Sequence, residues 1–120
     1  MGADAYLGSR FVTSRPHVSA MMNAFNQAGM FYLDRRISTD SVTEQAARNM
    51  GIRTTSRTHY VDGNTGVAAA LRAIEVSLVL QGHAVVVASP TPEVLAELGP
   101  WLRGLRSRRI HLLRLSEVVL

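Results

Sequence analysis

Two hydroxyl side chains stand where the sequence leads us to expect chemistry. Residues 85–88 are apolar and mostly β-branched, which is typical of a buried parallel strand, and Ser89-Pro-Thr91-Pro follows before a helix begins. Ligands of α/β proteins lie outside the carboxyl ends of such strands, so Ser89 and Thr91 occupy a ligand-binding position. This position contains no His, Asp, Glu or Cys. We therefore assign no catalytic residue there.

A carboxylate and a guanidinium follow another predicted strand, residues 30–33. Asp34 ends this strand and Arg36 comes two residues later, so both side chains could reach a site at the carboxyl edge of a sheet. Arg36 would then act as a fork-shaped donor for a sugar or a carboxylate. The favoured alternative is an ion pair that holds the loop before Ser41. Arg57 and Asp62 allow the same two interpretations, and a structural loop pair is again favoured.

The other reactive side chains lack the spacing that catalysis or metal binding requires. Ser9 lies in a tight Gly-Ser-Arg turn without a G-x-S-x-G elbow, so we expect a turn or cap residue. The histidines show no HxH or HExxH spacing, and we predict no metal site from them; they are His17, His59, His83 and His111.

Composition limits the class of protein. The chain has 120 residues, of which 47% are hydrophobic and 18% charged, so we expect one globular domain over residues 1–120. It has no Cys, which excludes disulfides and thiolate metal sites. No apolar run is long enough to span a membrane, and the first residues do not resemble a signal peptide. The location of the protein in the cell stays undetermined.

All 13 basic residues are Arg, and the net charge is +4. One dense basic group occurs, formed by Arg103, Arg106, Arg108 and Arg109. Favourable charge at a helix C-terminus explains this group best, and binding of phosphate or nucleic acid is the alternative. We do not expect nucleic acid as a partner.

Strand and helix patterns alternate along the chain. The predicted strands are residues 3–7, 30–33, 52–62, 85–88 and 110–115. Four predicted helices begin near Ser14, at the capping-box spacing of Ser41 and Glu44, after the turn at residues 62–65, and at Pro92. Gly99-Pro100 is expected to kink or split the last of them.

These elements predict an α/β fold. About five strands and about four helices alternate, which demands a mostly parallel sheet with helices packed on it. The elements are too few to close an eight-stranded barrel. The sheet is therefore either open or completed by another polypeptide.

Several motifs, in order, resemble one known family. They are GSRFVTSRP at 8–16, MFYLDRR at 30–36, DSVTEQAARNMGI at 40–52, Arg57 with YVD at 60–62, PTPEVLAEL at 90–98 with Trp101-Leu102, and the closing RRIHLLRLSEVV. Together they resemble the divergent polysaccharide deacetylases, a branch of the NodB-like carbohydrate deacetylases. The resemblance covers nearly the whole chain.

The resemblance implies half of a distorted (β/α) barrel. Only the C-terminal half of the family domain is matched, and the other half carries the Asp-rich strand end. Family members hydrolyse N-acetyl groups of envelope polysaccharides, typically in the periplasm or outside the cell. They use a divalent metal, usually zinc, held by an Asp and two His, which lowers the pKa of a bound water.

Both metal-binding histidines of the family are replaced in this chain. The family's Asn-His pair before Gly-Ser reads Ala5-Tyr6, and its Gly-His-Pro-His-Pro reads Ala88-Ser89-Pro90-Thr91-Pro92. A neutral hydroxyl is a poor zinc ligand beside imidazole. We therefore expect no cofactor for this chain and no deacetylation by the chain alone.

The predicted function is that of a non-catalytic, deacetylase-like protein that binds a polysaccharide or an amino sugar. Its candidate pocket lies at the carboxyl ends of the strands and consists of Tyr6, Ser9, Asp34, Arg36, Arg57, Ser89 and Thr91. The alternative is an interaction module: a self-associating half-barrel, or half of a split deacetylase. A second copy or a complementary half-domain would then satisfy the open sheet edges.

Overall fold

Parallel β-strands covered by helices make up the two compact units of this protein. The computed structural model describes residues 1–4, 9–36, 38–64 and 66–119, and for Ser9 the backbone alone. The first unit comprises Met1–Ser56 and Leu113–Leu120, and the second comprises Arg57–Leu112. Tyr6, the side chain of Ser9 and the predicted strand beyond residue 4 lie outside the described part.

The first unit contains a three-stranded parallel sheet. Its elements in chain order are β1 (Gly2–Asp4), α1 (Ser9–Thr13), α2 (Arg15–Gln27), β2 (Phe31–Asp34), α3 (Thr43–Asn49) and β3 (Thr54–Ser56). The strand order is β1-β2-β3, with Ala3 beside Tyr32 and Tyr32 beside Thr54. Asp34 and Ser56 are neighbours at the carboxyl ends of β2 and β3.

The core of the first unit follows from apolar spacing on its helices. Val18 and Met22 are one helical turn apart on α2 and are fully buried. They pack with side chains from α1, β2, α3 and the segment before β3, namely Val12, Tyr32, Ala47 and Ile52. Gly29 and Gly51 have positive φ angles just after α2 and α3, where left-handed backbone ends a helix.

The second unit is a β-α-β-α arrangement. Its elements are β4 (His59–Val61), α4 (Val67–Gln81), β5 (Val86–Ala88) and α5 (Pro92–Gly104). The two strands are parallel, and Tyr60 lies beside Val87. The buried core consists of Val61, Val67, Leu71, Ile74 and Val94, with Trp101 packed at its margin.

The α/β class and the parallel strands are confirmed, and particular elements differ from the prediction. Residues 52–62 form two strands, β3 and β4, with Arg57 and Thr58 between them. The helix α1 was not predicted. Pro100 does not split α5, which continues through it from Pro92 to Gly104.

The predicted strand at residues 110–115 is wrong. All of these residues are described; residues 110–114 have no regular secondary structure, and Leu115 begins a short 3-10 turn. Leu112 and Leu113 are 76% and 57% exposed. An apolar segment becomes a strand only where a neighbouring strand accepts its backbone hydrogen bonds, and the described residues supply none here. His111 is therefore not in a strand either.

In the portion that the structure describes, we find no helix with the length and apolar character needed to cross a bilayer.

Candidate functional site

A buried carboxylate organises the loop after β2. Asp34 is 3% exposed. Its Oδ1 accepts a hydrogen bond from the backbone N–H of Arg36 at 2.8 Å, and its Oδ2 accepts one from Ser41 Oγ at 3.4 Å. Arg36 has a φ of 55°, a left-handed conformation that is unfavourable for a side chain with a Cβ. The bond to Asp34 offsets this strain and fixes the direction in which Arg36 leaves the strand.

Glu44 on α3 forms an ion pair with the guanidinium of Arg36. Arg36 Nη2 lies 3.1 Å from Glu44 Oε2, and Arg48 binds Oε1 with Nε at 3.2 Å and Nη2 at 2.8 Å. Ser56 Oγ, at the end of β3, also donates to Oε2. Burial raises the pKa of Glu44. The hydrogen bond from Ser56 and the charges of Arg48 and Arg36 lower it by more, so the pKa of Glu44 lies below its ordinary value.

Tyr32 is a buried core residue that lies next to this cluster. Its ring is buried and stacks on Phe25 with 5.9 Å between centroids. Burial raises its pKa to about 12, against a smaller lowering by the hydrogen bond to Thr43. Thr43 also shares a 3.0 Å hydrogen bond with Ser41, which in turn binds Asp34. The polar loop is thus tied to the core through a chain of hydroxyl groups.

In the second unit, Ser89 and Tyr60 form a hydroxyl pair. Ser89 Oγ lies 2.6 Å from Tyr60 Oη, and the backbone N–H of Ser89 donates to the carbonyl of Val61. Tyr60 is 41% exposed, and the guanidinium of Arg57 lies over its ring at 5.1 Å from the centroid. These contacts place a hydroxyl, a phenol and a cation side by side.

Thr91 begins the helix that follows. Its Oγ1 accepts a hydrogen bond from the backbone N–H of Val94 at 3.4 Å, which caps α5. The same hydroxyl donates to Glu93 Oε2 at 3.5 Å. The Glu93 carboxylate lies against Gly63, where a Cβ would collide with it. Thr91 and Glu93 thus add a hydroxyl and a carboxylate near the Tyr60–Ser89 pair.

The structure brings the predicted site residues into two groups, one in each unit. Asp34 and Arg36 interact in the first, and Arg57 reaches Ser89 through Tyr60 in the second. Glu44 and Tyr60 were not predicted as site residues. The capping-box spacing of Ser41 and Glu44 and the YVD motif were the signals that could have indicated them.

These side chains do not fit a zinc ion. Across the described ranges, no three His, Cys, Asp or Glu side chains come together as a metal site would require. The hydroxyl of Ser89 is bound to Tyr60 Oη. Among the histidines, His17 contacts Ser14 and His59 contacts Thr58, each through a hydroxyl. Hydroxyl groups and single carboxylates can form hydrogen bonds, but in the described residues they do not converge as the three carboxylate or imidazole ligands that a zinc site requires.

Parallel strands covered by helices define an α/β protein. A model of the family described as divergent polysaccharide deacetylase matches residues 1–119. The chain belongs to this family.

Two similar proteins support the assignment. The crystal structure of the uncharacterized protein ATU2773 from Agrobacterium tumefaciens C58 superposes with a TM-score of 0.89 and 26% identity, covering 98% of this chain and 49% of that one. An uncharacterized protein of Haemophilus influenzae is 25% identical over 108 residues, which are 88% of this chain and 39% of that protein. The chain therefore spans less than half the length of both.

Proposed function

We propose that this chain is a carbohydrate-binding member of the family whose own residues do not carry out metal-dependent deacetylation. It corresponds to the C-terminal half of the deacetylase-like domain. The observation that supports this most is the Tyr60–Ser89 hydroxyl pair, because Ser89 takes the place of a metal-binding histidine in the family pattern. The Ser89 hydroxyl can both donate and accept a hydrogen bond.

The chemistry around this pair suits a polysaccharide or an amino sugar. Sugar hydroxyl and N-acetyl groups need both donors and acceptors. Ser89, Tyr60 and Thr91 can act as either, Glu93 accepts, and Arg57 donates. Tyr60 is also 41% exposed, and its aromatic side chain offers apolar contact to a sugar ring.

Calorimetric titration with N-acetylglucosamine oligomers in the presence of EDTA tests this proposal. We expect saturable binding that EDTA does not change. Tyr60→Phe and Ser89→Ala should each raise the Kd by about three- to tenfold, because each removes one hydrogen-bonding hydroxyl. Ser116→Ala, an exposed serine elsewhere, serves as the matched control and should bind like the wild type. Binding that needs added metal, or that both variants leave unchanged, contradicts the proposal.

We also infer a second function, completion by a complementary half-domain. The observation that favours it is the exposure of Leu112 and Leu113 within residues 110–115, together with the 49% and 39% of its relatives that this chain spans. In this proposal the segment becomes a strand when the other half supplies a neighbour, as in strand addition to a sheet edge.

Fusing this chain to the unmatched portion of the Agrobacterium protein tests completion. Amides of residues 110–115 should exchange quickly in the chain alone and at least about tenfold more slowly in the fusion, because ladder hydrogen bonds protect them. The 3-10 turn Arg106–Arg108 provides the internal control. Equal exchange in both proteins, with the fusion folded by circular dichroism, rules completion out.

A further inference from the structure

The helix α4 is apolar on two opposite faces. One face is the core of the second unit, formed by Val67, Leu71, Ile74 and Leu78. The opposite face consists of Ala69, Ala73, Val76 and Leu80, all exposed. Val76 and Leu80 are 59% and 75% exposed, and Val79 at the margin is 85% exposed. An apolar helix face of this length normally packs against another surface.

The exposed residues form one continuous stripe. Their spacing of four, three and four residues keeps them within about 60° of the helix circumference at 100° per residue. This is the spacing by which helices pair along an a/d seam. We define Ala69, Ala73, Val76 and Leu80 as the outer stripe.

We propose that the outer stripe is a dimer interface at which α4 packs antiparallel against α4 of a second copy of this chain. In the antiparallel register, Ala69 faces Leu80 of the second copy and Ala73 faces Val76. Every layer then joins one small and one large side chain, so the two helix axes stay evenly spaced. The surface complements itself, as an interface with two-fold symmetry requires.

A parallel pair would be poorly packed in comparison. It would place alanine on alanine at one end and leucine on leucine at the other, so the helices would have to splay. Antiparallel pairing also sets opposite ends of the two helix dipoles side by side, which is favourable.

The charges on α4 agree with a second copy as the occupant. Its two charged residues are Arg72 and Glu75, and Glu75 already binds Trp101 and Arg108 within its own unit. Arg72 lies at the margin of the stripe, where the antiparallel register brings it beside Val79 of the second copy. Its aliphatic stem can cover that valine while the guanidinium stays in water.

The size of the stripe sets the strength of the dimer. A 15-residue helix is about 22 Å long, so one helix face covers less than the roughly 800 Å² per partner of a standard stable interface. The dimer should therefore dissociate on dilution.

Sedimentation velocity over a concentration series tests the proposal. The wild-type chain should shift from monomer to dimer as concentration rises, and Val76→Glu should raise the dimer Kd at least about tenfold by placing a charge at the centre of the seam. Leu95→Glu is the matched control, since Leu95 is 54% exposed, close to the 59% of Val76, but lies on α5, and it should dimerise like the wild type. A wild type that stays monomeric throughout, or a Val76→Glu variant that dimerises normally, overturns the proposal.

Disulfide formation tests the register, because the natural chain has no Cys. Ala69→Cys mixed with Leu80→Cys should cross-link readily, whereas each variant alone should not, since like positions lie far apart in the antiparallel pair. Cross-linking of each variant with itself, and none in the mixture, would show a parallel pair and overturn the antiparallel arrangement.

Discussion

At the scale of single residues, Glu44 holds together the polar groups at the strand ends of the first unit. Its two carboxylate oxygens bind Arg36, Arg48 and Ser56. The hydrogen bond from the backbone N–H of Arg36 to Asp34 stabilises the left-handed backbone of Arg36. The ion pair with Glu44 fixes the direction of the Arg36 side chain. The carboxylate form of Glu44 is therefore part of the folded state.

Replacing Glu44 by Gln should lower the free energy of unfolding at neutral pH by about 1–2 kcal/mol, because hydrogen bonds to a charged group are lost. The folded-state pKa of Glu44 lies below its ordinary value of 4.5, so the unfolded chain binds the proton more tightly. The stabilisation is present above pH 4.5 and disappears as the pH falls through the folded-state pKa.

Urea denaturation of the wild type and Glu44→Gln at neutral and acidic pH measures this effect. Glu97→Gln, at an exposed position, should differ from the wild type by less than about 0.5 kcal/mol at both pH values. A difference for Glu44→Gln that persists unchanged in acid would show that ionisation of this carboxyl does not stabilise the fold.

Residue pairs that are close in the sequence are easier to predict than pairs that only the fold brings together. Asp34 and Arg36 are two positions apart, and we expected them to hold the loop before Ser41. They are joined by a hydrogen bond to the backbone of Arg36, whereas the ion pair of the Arg36 side chain is formed with Glu44. Tyr60 and Ser89 are 29 positions apart and meet because β4 and β5 are neighbours. The sequence contains no signal for that pairing.

At the scale of elements, α5 contains a proline in its interior. Pro100 cannot donate a backbone hydrogen bond to the preceding turn, yet the helix continues to Gly104. We expected Gly99-Pro100 to kink or split the helix, and the helix is not split there. Packing of Val94, Leu98 and Trp101 against the second core accounts for the continuity of the helix.

Pro100→Ala should raise the free energy of unfolding by about 1–3 kcal/mol, because it restores a helix donor at an exposed position. Pro16→Ala is the matched control, since Pro16 lies in the first turn of α2, where no donor is needed, and it should give no gain. Thermal denaturation of both variants provides the measurement. Destabilisation by Pro100→Ala would mean that the proline ring itself packs favourably.

The predicted strand at residues 110–115 illustrates what apolar pattern alone cannot provide. Its apolar content and length suit a strand, but strand formation also depends on a neighbouring strand. The helices α2, α4 and α5 were predicted correctly because their start and stop signals are local: Pro16, Gly82 and Thr91 with Pro92.

At the scale of the whole molecule, we propose that the strand ends of this family member carry chemistry different from that of the metal-dependent deacetylases. Each unit has its own parallel sheet and its own apolar core. The segment from Ser89 to Pro92 contains two prolines and two hydroxyl side chains. In our proposal these hydroxyl groups stand where the family carries histidines. In our account this surface binds sugar through hydrogen bonds and does not hold a metal.

A calorimetric titration of the metal-free chain with zinc tests this central claim most directly. We predict only weak, non-stoichiometric binding, because the described residues offer hydroxyl groups and isolated imidazoles to the metal. A stoichiometric site of about micromolar affinity or tighter would contradict the claim and return metal-dependent deacetylation to this chain.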